Sequence, residues 1–337
     1  MTDAGLTTPA VRLKPKGAGV HHLVARGGIY CLVVVLFAVG SLMSRDFLTV
    51  SNLLNMVRAV TLLGIVSLGV SMVTYSGNYV DLSTPAIMAL SGIVAVAALP
   101  LGFAGAMVAG VAAGTAVGLI NGIVVGYLRL NPIIWTLAMM SVLDGLIRWF
   151  FSGKQVYPDA LAPAGRLLLG LYGASLPGGI PLIVALLAFL ALGAWVLTHR
   201  TAYGAKLKLV GSNYEAARMT GINVQAVVVL AFVLSASAAA FAGILLTSLN
   251  QVGAAYIGAG YDFAAVTAVV LGGVTLAGGR GSGIGVMGGV LAIGLLKNVL
   301  TLAGFGTFSQ VIVQGCVFII AVGISSSARR KGGHDDA

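Results

Sequence analysis

The sequence predicts an all-α membrane protein, a polytopic bundle of transmembrane helices. Hydrophobic residues make up 58% of the 337 residues and charged residues only 8%, whereas a soluble domain has about 25% charged residues. Apolar runs close to the roughly 20 residues that cross a bilayer core recur along the chain. These runs are continuous rather than alternating, which excludes a membrane β-barrel.

The chain begins with a polar, basic tail at residues 1–28. No small-residue cleavage site follows the first apolar run, so we predict an uncleaved first span rather than a signal peptide. The transmembrane domain is predicted at 29–326 and a second polar tail at 327–337. The candidate membrane segments are 29–46, 53–75, 82–101, 104–128, 132–151, 180–198, 224–249, 261–277, 283–304 and 308–326. We expect about ten segments, of which 82–101 and 261–277 could be broken or re-entrant.

The distribution of basic residues predicts the orientation. With the N-terminus in the cytoplasm, thirteen basic residues fall on the inner side and six on the outer side. The inner set is Arg12, Lys14, Lys16, Arg26, Arg129, Arg200, Lys206, Lys208, Arg218, Arg280, Arg329, Arg330 and Lys331, and the outer set is Arg45, Arg58, Arg148, Lys154, Arg166 and Lys297. This asymmetry predicts a prokaryotic cytoplasmic membrane protein with both termini cytoplasmic. The net charge of +10 therefore indicates a lipid bilayer as the surroundings and not a nucleic-acid partner.

Glycine is placed for close helix packing. The fourth segment has a glycine at every fourth position, and a similar series occurs late in the chain: Gly110, Gly114, Gly118, Gly122 and Gly126, then Gly281, Gly285 and Gly289. Such ridges let a neighbouring helix approach closely. Only two cysteines occur, Cys31 and Cys316; both lie in apolar spans, and we expect them to be buried.

The late glycines also match G-x-G-x-x-G at Gly283, Gly285 and Gly288. No βαβ unit surrounds this match, and no acidic residue follows about 20 positions on to bind a ribose. The chain also lacks a Walker A lysine motif, so we predict neither a cofactor nor ATP binding by a P-loop.

Two breaks interrupt the apolar runs. In the first, at 75–85, Asp81, Ser83 and Thr84 are residue types that cap helix N-termini, and Pro85 suits a first helical turn. Irregular backbone at membrane depth survives only where protein or a water-filled cavity satisfies it. We therefore predict a substrate pathway here, lined by a set of polar residues: Ser76, Asn78, Asp81, Ser83 and Asn121. The second break, at 272–282, is rich in glycine. The alternative is two ordinary connecting turns.

The two breaks also indicate a weak inverted repeat. Asp81 precedes Ser91-Gly92, as Asp262 precedes Gly272-Gly273, and 118–121 resembles 294–297. The paired segments run in opposite directions in the predicted topology, which is typical of transporters. Chance similarity between helices rich in glycine and leucine is the alternative.

Ionisable and amide side chains are costly inside a membrane span, so each is expected to have a polar partner or a function. Asp144 and Arg148 stand four residues apart, acid first, which favours an ion pair. We expect mutual neutralisation in preference to contact with a substrate. Lys297 can extend its amine to the outer interface. Asn121 and Asn131 could bond between helices or to a hydroxylated ligand, and both alternatives stay open.

The longest polar interruption is Lys206–Asn223, within a loop predicted at 199–223. Ser212 and Glu215 fit the S-x-x-E capping box of a helix start, and Gly221 fits its left-handed end. We predict a helix of about two turns that docks on a partner. The alternative is a capped surface helix with no partner.

The stretches GSNYEAARMTGIN, GGVTLAGGRGSGIG and GLLKNVL resemble the permease subunit of ribose-type sugar ATP-binding-cassette importers, over nearly the whole chain after about residue 50. The resemblance implies a pore of two copies or of two related permeases, cytosolic ATPases, and an extracytoplasmic binding protein that delivers a sugar. It also implies that the ATPase contacts the loop that contains Glu215, Ala216, Ala217 and Arg218. We add Ser212 and Gly221, the predicted ends of the docking helix, to this ATPase-coupling set. One departure concerns the first break, where the family reads Ser-Gly-Gly-Ile-Asp-Leu-Ser-Val-Gly. Here Asn78-Tyr79-Val80 and Thr84-Pro85 differ, which leaves the sugar open.

The sequence thus predicts a permease subunit that takes up a sugar or related polyol and is not itself an enzyme. A secondary transporter or channel without an ATPase partner is the alternative. An intramembrane enzyme is disfavoured, because no clustered His, Cys or carboxylates indicate a metal or a nucleophile.

Overall fold

The computed structural model describes residues 18–332, with side chains from 28 to 323. The helices are α1 (Ala18–Met43), α2 (Val50–Tyr75), α3 (Thr84–Ala97), α4 (Gly102–Tyr127), α5 (Pro132–Phe150), α6 (Pro163–Leu171), α7 (Leu182–Arg200), α8 (Ala202–Ser212), α9 (Tyr214–Met219), α10 (Val224–Asn250), α11 (Tyr261–Leu271), α12 (Gly283–Leu302) and α13 (Thr307–Gly332). A 3-10 turn at Leu99–Leu101 precedes α4. The described residues contain no β-strand, only two isolated bridges, so the all-α prediction is confirmed.

Every predicted membrane segment falls on a helix, but the helices differ in length. Among the described residues, six helices are long and apolar enough to cross a membrane: α2, the run Leu99–Tyr127 that contains α4, α5, α7, α10 and α12. The apolar part of α1, α3, α11 and the apolar part of α13 are shorter. The structure therefore supports a multi-pass helical protein and does not confirm about ten crossings.

The helices extend past both predicted tail boundaries, and the division into tails and membrane domain stays a prediction. Helix α1 begins at Ala18, inside the predicted 1–28 tail, and α13 continues past 326 to Gly332. Once nucleated, a helix extends at little cost beyond its apolar run. Residues 1–17 and 333–337 lie outside the described part of the chain. Cys31 and Cys316 are exposed rather than buried, because α1 and α13 pack on few neighbours at the edge of the bundle.

The glycine ridge of α4 packs as predicted, and it faces α10. A Cβ added at Gly118 would lie 2.7 Å from the Phe232 carbonyl oxygen, and one added at Gly122 would lie 2.7 Å from the Val229 Cα. The first glycine of the ridge, Gly110, also lies against the Ser91 carbonyl of α3. The two helices therefore meet backbone to backbone, as bare glycine faces permit.

The later glycine series is confirmed in part. Gly285 and Gly289 of α12 lie against the Gly272 and Ala268 carbonyl oxygens at the end of α11. Gly281, however, precedes α12 and has φ 142°, in the second break, where it cannot extend a helical ridge.

One predicted polar contact occurs, together with two that were not predicted. Asp144 and Arg148 form the expected ion pair, with 2.8 Å between Oδ2 and Nε. Asn131 caps α5 by accepting hydrogen bonds from the Ile133 and Ile134 amides. Asn298, next to Lys297, exchanges two side-chain hydrogen bonds with Asn52, at 2.8 and 3.2 Å, which joins α12 to α2.

The bundle has two ends. At the end that we call the α6 end, the Tyr172 amide donates to the Ser248 hydroxyl near the end of α10. Here the predicted 152–179 connection, which contains α6, pairs its Val156 with Gly253 at 2.8 and 2.9 Å. Helices α8 and α9 lie at the start of α10, which we call the α9 end.

The short helices α3 and α11 each begin beside a buried aspartate. Asp81 precedes α3, and Asp262 lies in the first turn of α11. Their starts lie close together, since a Cβ added at Gly258 would be 2.9 Å from the Pro85 Cα. The inverted repeat itself stays a prediction.

We expect Gly118→Ala to lower the thermal unfolding midpoint of the purified protein. Its new methyl group overlaps the α10 backbone, and overpacking of this kind costs roughly 1–3 kcal/mol. Differential scanning fluorimetry in detergent would measure it. Gly145→Ala in α5 is the matched control, since a Cβ there meets nothing within 4 Å. Equal midpoints for the two variants would contradict the close α4–α10 packing.

Candidate functional site

The predicted docking helix exists as α9, a helix of six residues, but its start differs from the prediction. Ser212 is the last residue of α8, and its hydroxyl donates to the Lys208 carbonyl at 2.8 Å. Asn213 has the extended backbone of a cap, and its side chain accepts from the Ala216 amide at 3.0 Å. The Ser212–Glu215 capping box is therefore wrong, because Ser212 is still in helical conformation where a cap must be extended.

The end of α9 follows the prediction. Gly221 has φ 80°, the left-handed conformation that glycine adopts without strain. Its amide donates to the Arg218 carbonyl at 3.0 Å, and the Ile222 amide donates to the Ala217 carbonyl at 3.3 Å. This pair of hydrogen bonds is the Schellman motif.

Helix α9 has an inward and an outward face. Ala217 is fully buried, and Tyr214, three residues earlier, is half-buried beneath the Arg129 guanidinium, 5.0 Å from its ring centroid. Ala216 is exposed, and Met219 is 86% exposed. Tyr214 and Ala217 are three residues apart and so share the inward face of the helix. Ala217 therefore does not belong to the small surface that was predicted to meet a partner.

The outward residues of α9 are Glu215, Ala216, Arg218 and Met219. Sequence reasoning missed Met219, and also Asn213, Tyr214 and Arg129, which hold the helix. The three-residue spacing of Tyr214 and Ala217 was a signal for the inward face. Arg129 left no such signal, because it reaches α9 from a distant part of the chain.

The first break contains a buried hydrogen-bonded network. Asp81 accepts through Oδ1 from the amide of Ser83 at 2.9 Å and from its hydroxyl. Asn121 of α4 donates to the Ser83 Oγ at 2.9 Å and accepts from the Trp135 indole of α5 at 3.0 Å. The Leu82 amide donates to the Thr136 hydroxyl at 3.0 Å. The network thus joins the break to both α4 and α5.

The predicted pathway residues divide into two groups. Asp81, Ser83 and Asn121 lie together with at most 1% exposed surface, and the second Asp81 oxygen, Oδ2, has no hydrogen-bond partner. Ser76 and Asn78 lie apart from this network and bond to each other at 2.8 Å, with Asn78 partly exposed. A buried carboxylate oxygen without a partner is costly, so Oδ2 is a group that a ligand could satisfy.

Both breaks meet the end of α8. The Gly279 amide donates to the Tyr75 carbonyl at 3.1 Å, which joins the second break to the first. A Cβ on Gly211 would overlap the Tyr75 carbonyl oxygen, and one on Gly77 would lie 3.3 Å from the Gly211 Cα. We call Gly77, Gly211, Gly278 and Gly279 the glycine junction. Its Gly211 stands three positions before Tyr214, the first residue of α9.

Within the described part of the chain, no group of three or more His, Cys, Asp or Glu side chains could hold a metal ion. What the arrangement offers instead is mechanical and polar: an exposed short helix, a backbone junction behind it, and hydrogen-bonding groups inside the bundle.

Residues 52–322 match the family described as "Branched-chain amino acid transport system / permease component". The chain is 33% identical to the ribose import permease protein RbsC of Escherichia coli (strain K12), over 86% of this chain and 90% of that protein. It is 35% identical to the L-arabinose ABC transporter permease protein AraH of Azospirillum brasilense, over 94% of this chain and 92% of that protein.

A third relative is the ribose import permease protein RbsC of Bacillus subtilis (strain 168), 35% identical over 88% of this chain and 89% of that protein. No solved structure matches the chain. The residues that match the family, 52–322, include both breaks and α9. The chain therefore belongs to this family of permease components, which are transport subunits of ABC importers and not enzymes.

Proposed function

We propose that this permease carries a sugar or related polyol into the cell, driven by ATP hydrolysis on partner subunits. The observation that carries this proposal is the similarity, over more than four-fifths of the chain, to permeases named for ribose and arabinose. The family description names branched-chain amino acids instead. Uptake of a labelled sugar and of leucine into cells, with and without the extracytoplasmic binding protein, separates the two.

The proposed partners are two cytosolic ATPases, a binding protein at the outer face, and a second copy of this chain or a related permease. Helix α9 supports the first of these. It projects four outward residues, two on each side of the buried Ala217, and it lies next to the glycine junction that both breaks share. A partner that moves α9 would therefore move the backbone at both breaks.

The proposed domain organisation follows the basic residues. Residues 1–28 and 327–337 are cytoplasmic tails, 29–326 is the membrane domain, and 199–223 is the cytoplasmic coupling loop. The α9 end would then face the cytoplasm and the α6 end the outside, in the inner membrane of a prokaryote. The glycine junction and both breaks would lie toward the cytoplasmic half.

Cysteine labelling would check this orientation. In a variant without Cys31 and Cys316, we expect Tyr157→Cys in the α5–α6 connection to react with an impermeant maleimide in intact cells. We expect Lys208→Cys in α8 to react only with a permeant reagent. We expect the same of Ser327→Cys, at a position beyond the described side chains. The positive-inside asymmetry is the reason.

Permeabilised cells are the control, because Tyr157→Cys, Lys208→Cys and Ser327→Cys should then all react with the impermeant maleimide. Labelling of Lys208→Cys in intact cells by the impermeant maleimide would reverse the proposed orientation.

For the pathway, we propose that the first break lines the substrate route, with Ser76, Asn78, Asp81, Ser83 and Asn121 contributing. Asp81→Asn keeps Oδ1 as an acceptor for Ser83 and changes only Oδ2. We expect this variant to lower uptake about tenfold, the size of one hydrogen bond to a charged group, while membrane insertion and ATPase association persist. Initial uptake rates in cells would measure it.

Asp81→Ala is the harsher comparison, since it also leaves the buried Ser83 amide without its acceptor. If Asp81→Asn transports at the wild-type rate while Asp81→Ala does not, Asp81 only shapes the break, and its pathway role is wrong.

For coupling, we propose that α9 occupies a groove of the ATPase and that Met219 is its main apolar contact. Burying a methionine side chain contributes about 1.5–3 kcal/mol, so Met219→Ala should weaken ATPase association at least tenfold. Arg218→Ala should have a small effect, because exposed ion pairs contribute about 0–1 kcal/mol. Pull-down of the ATPase at graded concentrations would measure both.

Leu209→Ala in α8 is the matched control, an exposed apolar side chain outside α9. Ala217→Trp should lower the unfolding midpoint of the permease alone, because its side chain packs inward. Equal ATPase binding by Met219→Ala and Leu209→Ala would show that α9 is not the docking element.

A further inference from the structure

Helix α5 has an ion pair on its exposed surface. The side chains of Asp144 and Arg148 are 43% and 59% exposed. Yet α5 is one of the helices able to cross a membrane, and only 17% of its apolar window is buried. Charged side chains within a span face a protein interior or a water-filled cavity, because facing lipid is costly. This pair therefore faces something beyond the body of a single chain.

The pair belongs to a polar stripe that ends at the α6 end. Ser141, Asp144 and Arg148 are spaced by three and four residues, so they share one side of α5, away from the buried Leu143 and Ile147. Arg148 lines a small cavity of about 70 Å³ together with Lys154, Gln155 and Tyr256. The stripe thus leads to hydrogen-bonding groups of the α5–α6 and α10–α11 connections.

The pair keeps much of its hydrogen-bonding capacity free. Its one contact joins Arg148 Nε to Asp144 Oδ2 at 2.8 Å, and among residues 28–323 neither side chain has another side-chain hydrogen bond. Asp144 Oδ1 and the terminal guanidinium nitrogens remain available. Exposed ion pairs contribute little to stability, so stability does not account for a charged pair in this span.

We propose that the Asp144–Arg148 pair binds the polyol substrate in a hydrated passage along α5, on the outer side of the first break. A hydroxyl group both donates and accepts, so neighbouring hydroxyls of a polyol can donate to the carboxylate and accept from the guanidinium at once. Gln155 and Tyr256, whose side chains hydrogen-bond to each other at 2.6 Å, offer further neutral donors and acceptors for hydroxyl groups. A zwitterionic amino acid is the competing ligand.

This inference, which rests on the proposed function, is tested first by accessibility. In a variant without Cys31 and Cys316, Ser141→Cys and Arg148→Cys should react with a charged, impermeant thiol reagent added outside. Leu146→Cys lies at similar depth on the other exposed side of α5 and should not react, because a thiol in lipid does not form the reactive thiolate. If Ser141→Cys and Arg148→Cys are as unreactive as Leu146→Cys, the stripe faces lipid and the inference is wrong.

The second test removes both charges. We expect Asp144→Asn/Arg148→Gln, reconstituted with its ATPase and binding protein, to lower the initial rate of sugar uptake about tenfold, with the complex still assembled. If the pair only neutralises itself, this uncharged variant transports like wild type, which would overturn the inference.

The outcomes distinguish this inference from the proposed function. A wild-type complex that takes up no sugar overturns both. A wild-type complex that takes up sugar, with an unaffected double variant, overturns only the role of the pair. Leucine uptake that depends on the pair, in place of sugar uptake, overturns the polyol assignment.

Discussion

Close approach of backbone to backbone, permitted by glycine, is the constraint on which this structure depends. Within a membrane, helices gain little from burying apolar side chains against each other, because lipid is equally apolar, and packing contacts become decisive. The α4–α10 contact along Gly118 and Gly122 and the α11–α12 contact along Gly285 and Gly289 are both of this kind. Larger side chains at these positions would separate the helices that hold the breaks in place.

The same constraint explains how irregular backbone persists inside the bundle. A broken helix leaves amides and carbonyls unpaired, and lipid offers them no partner. Here the Gly279 amide donates to the Tyr75 carbonyl, and in the first break the Leu82 and Ser83 amides donate to the Thr136 hydroxyl and the Asp81 carboxylate. Because Gly211 closes this arrangement from α8, the two breaks and the approach to α9 form one packed unit.

Much of this architecture could be predicted from the sequence, because it depends on local pattern. The apolar runs located the membrane helices, the four-residue glycine spacing located the α4 ridge, and Gly221 located the end of α9. The start of α9 could not be predicted, since α8 continues through Ser212 only by packing Gly211 on Tyr75. Nor could the contact of Arg129 with Tyr214 of α9, or the hydrogen bond of Trp135 to Asn121. Both partners are brought close only by the fold.

Helix α9 separates two requirements that usually compete. Tyr214 and Ala217 pack the helix against its own chain. The other side chains, Glu215, Ala216, Arg218 and Met219, are exposed and do not hold it there. If these four residues meet the ATPase, as proposed, they can change without loss of folding. After gene duplication, a permease of this design could acquire a new motor subunit through substitutions in one turn and a half of helix, while keeping its membrane domain and its cargo.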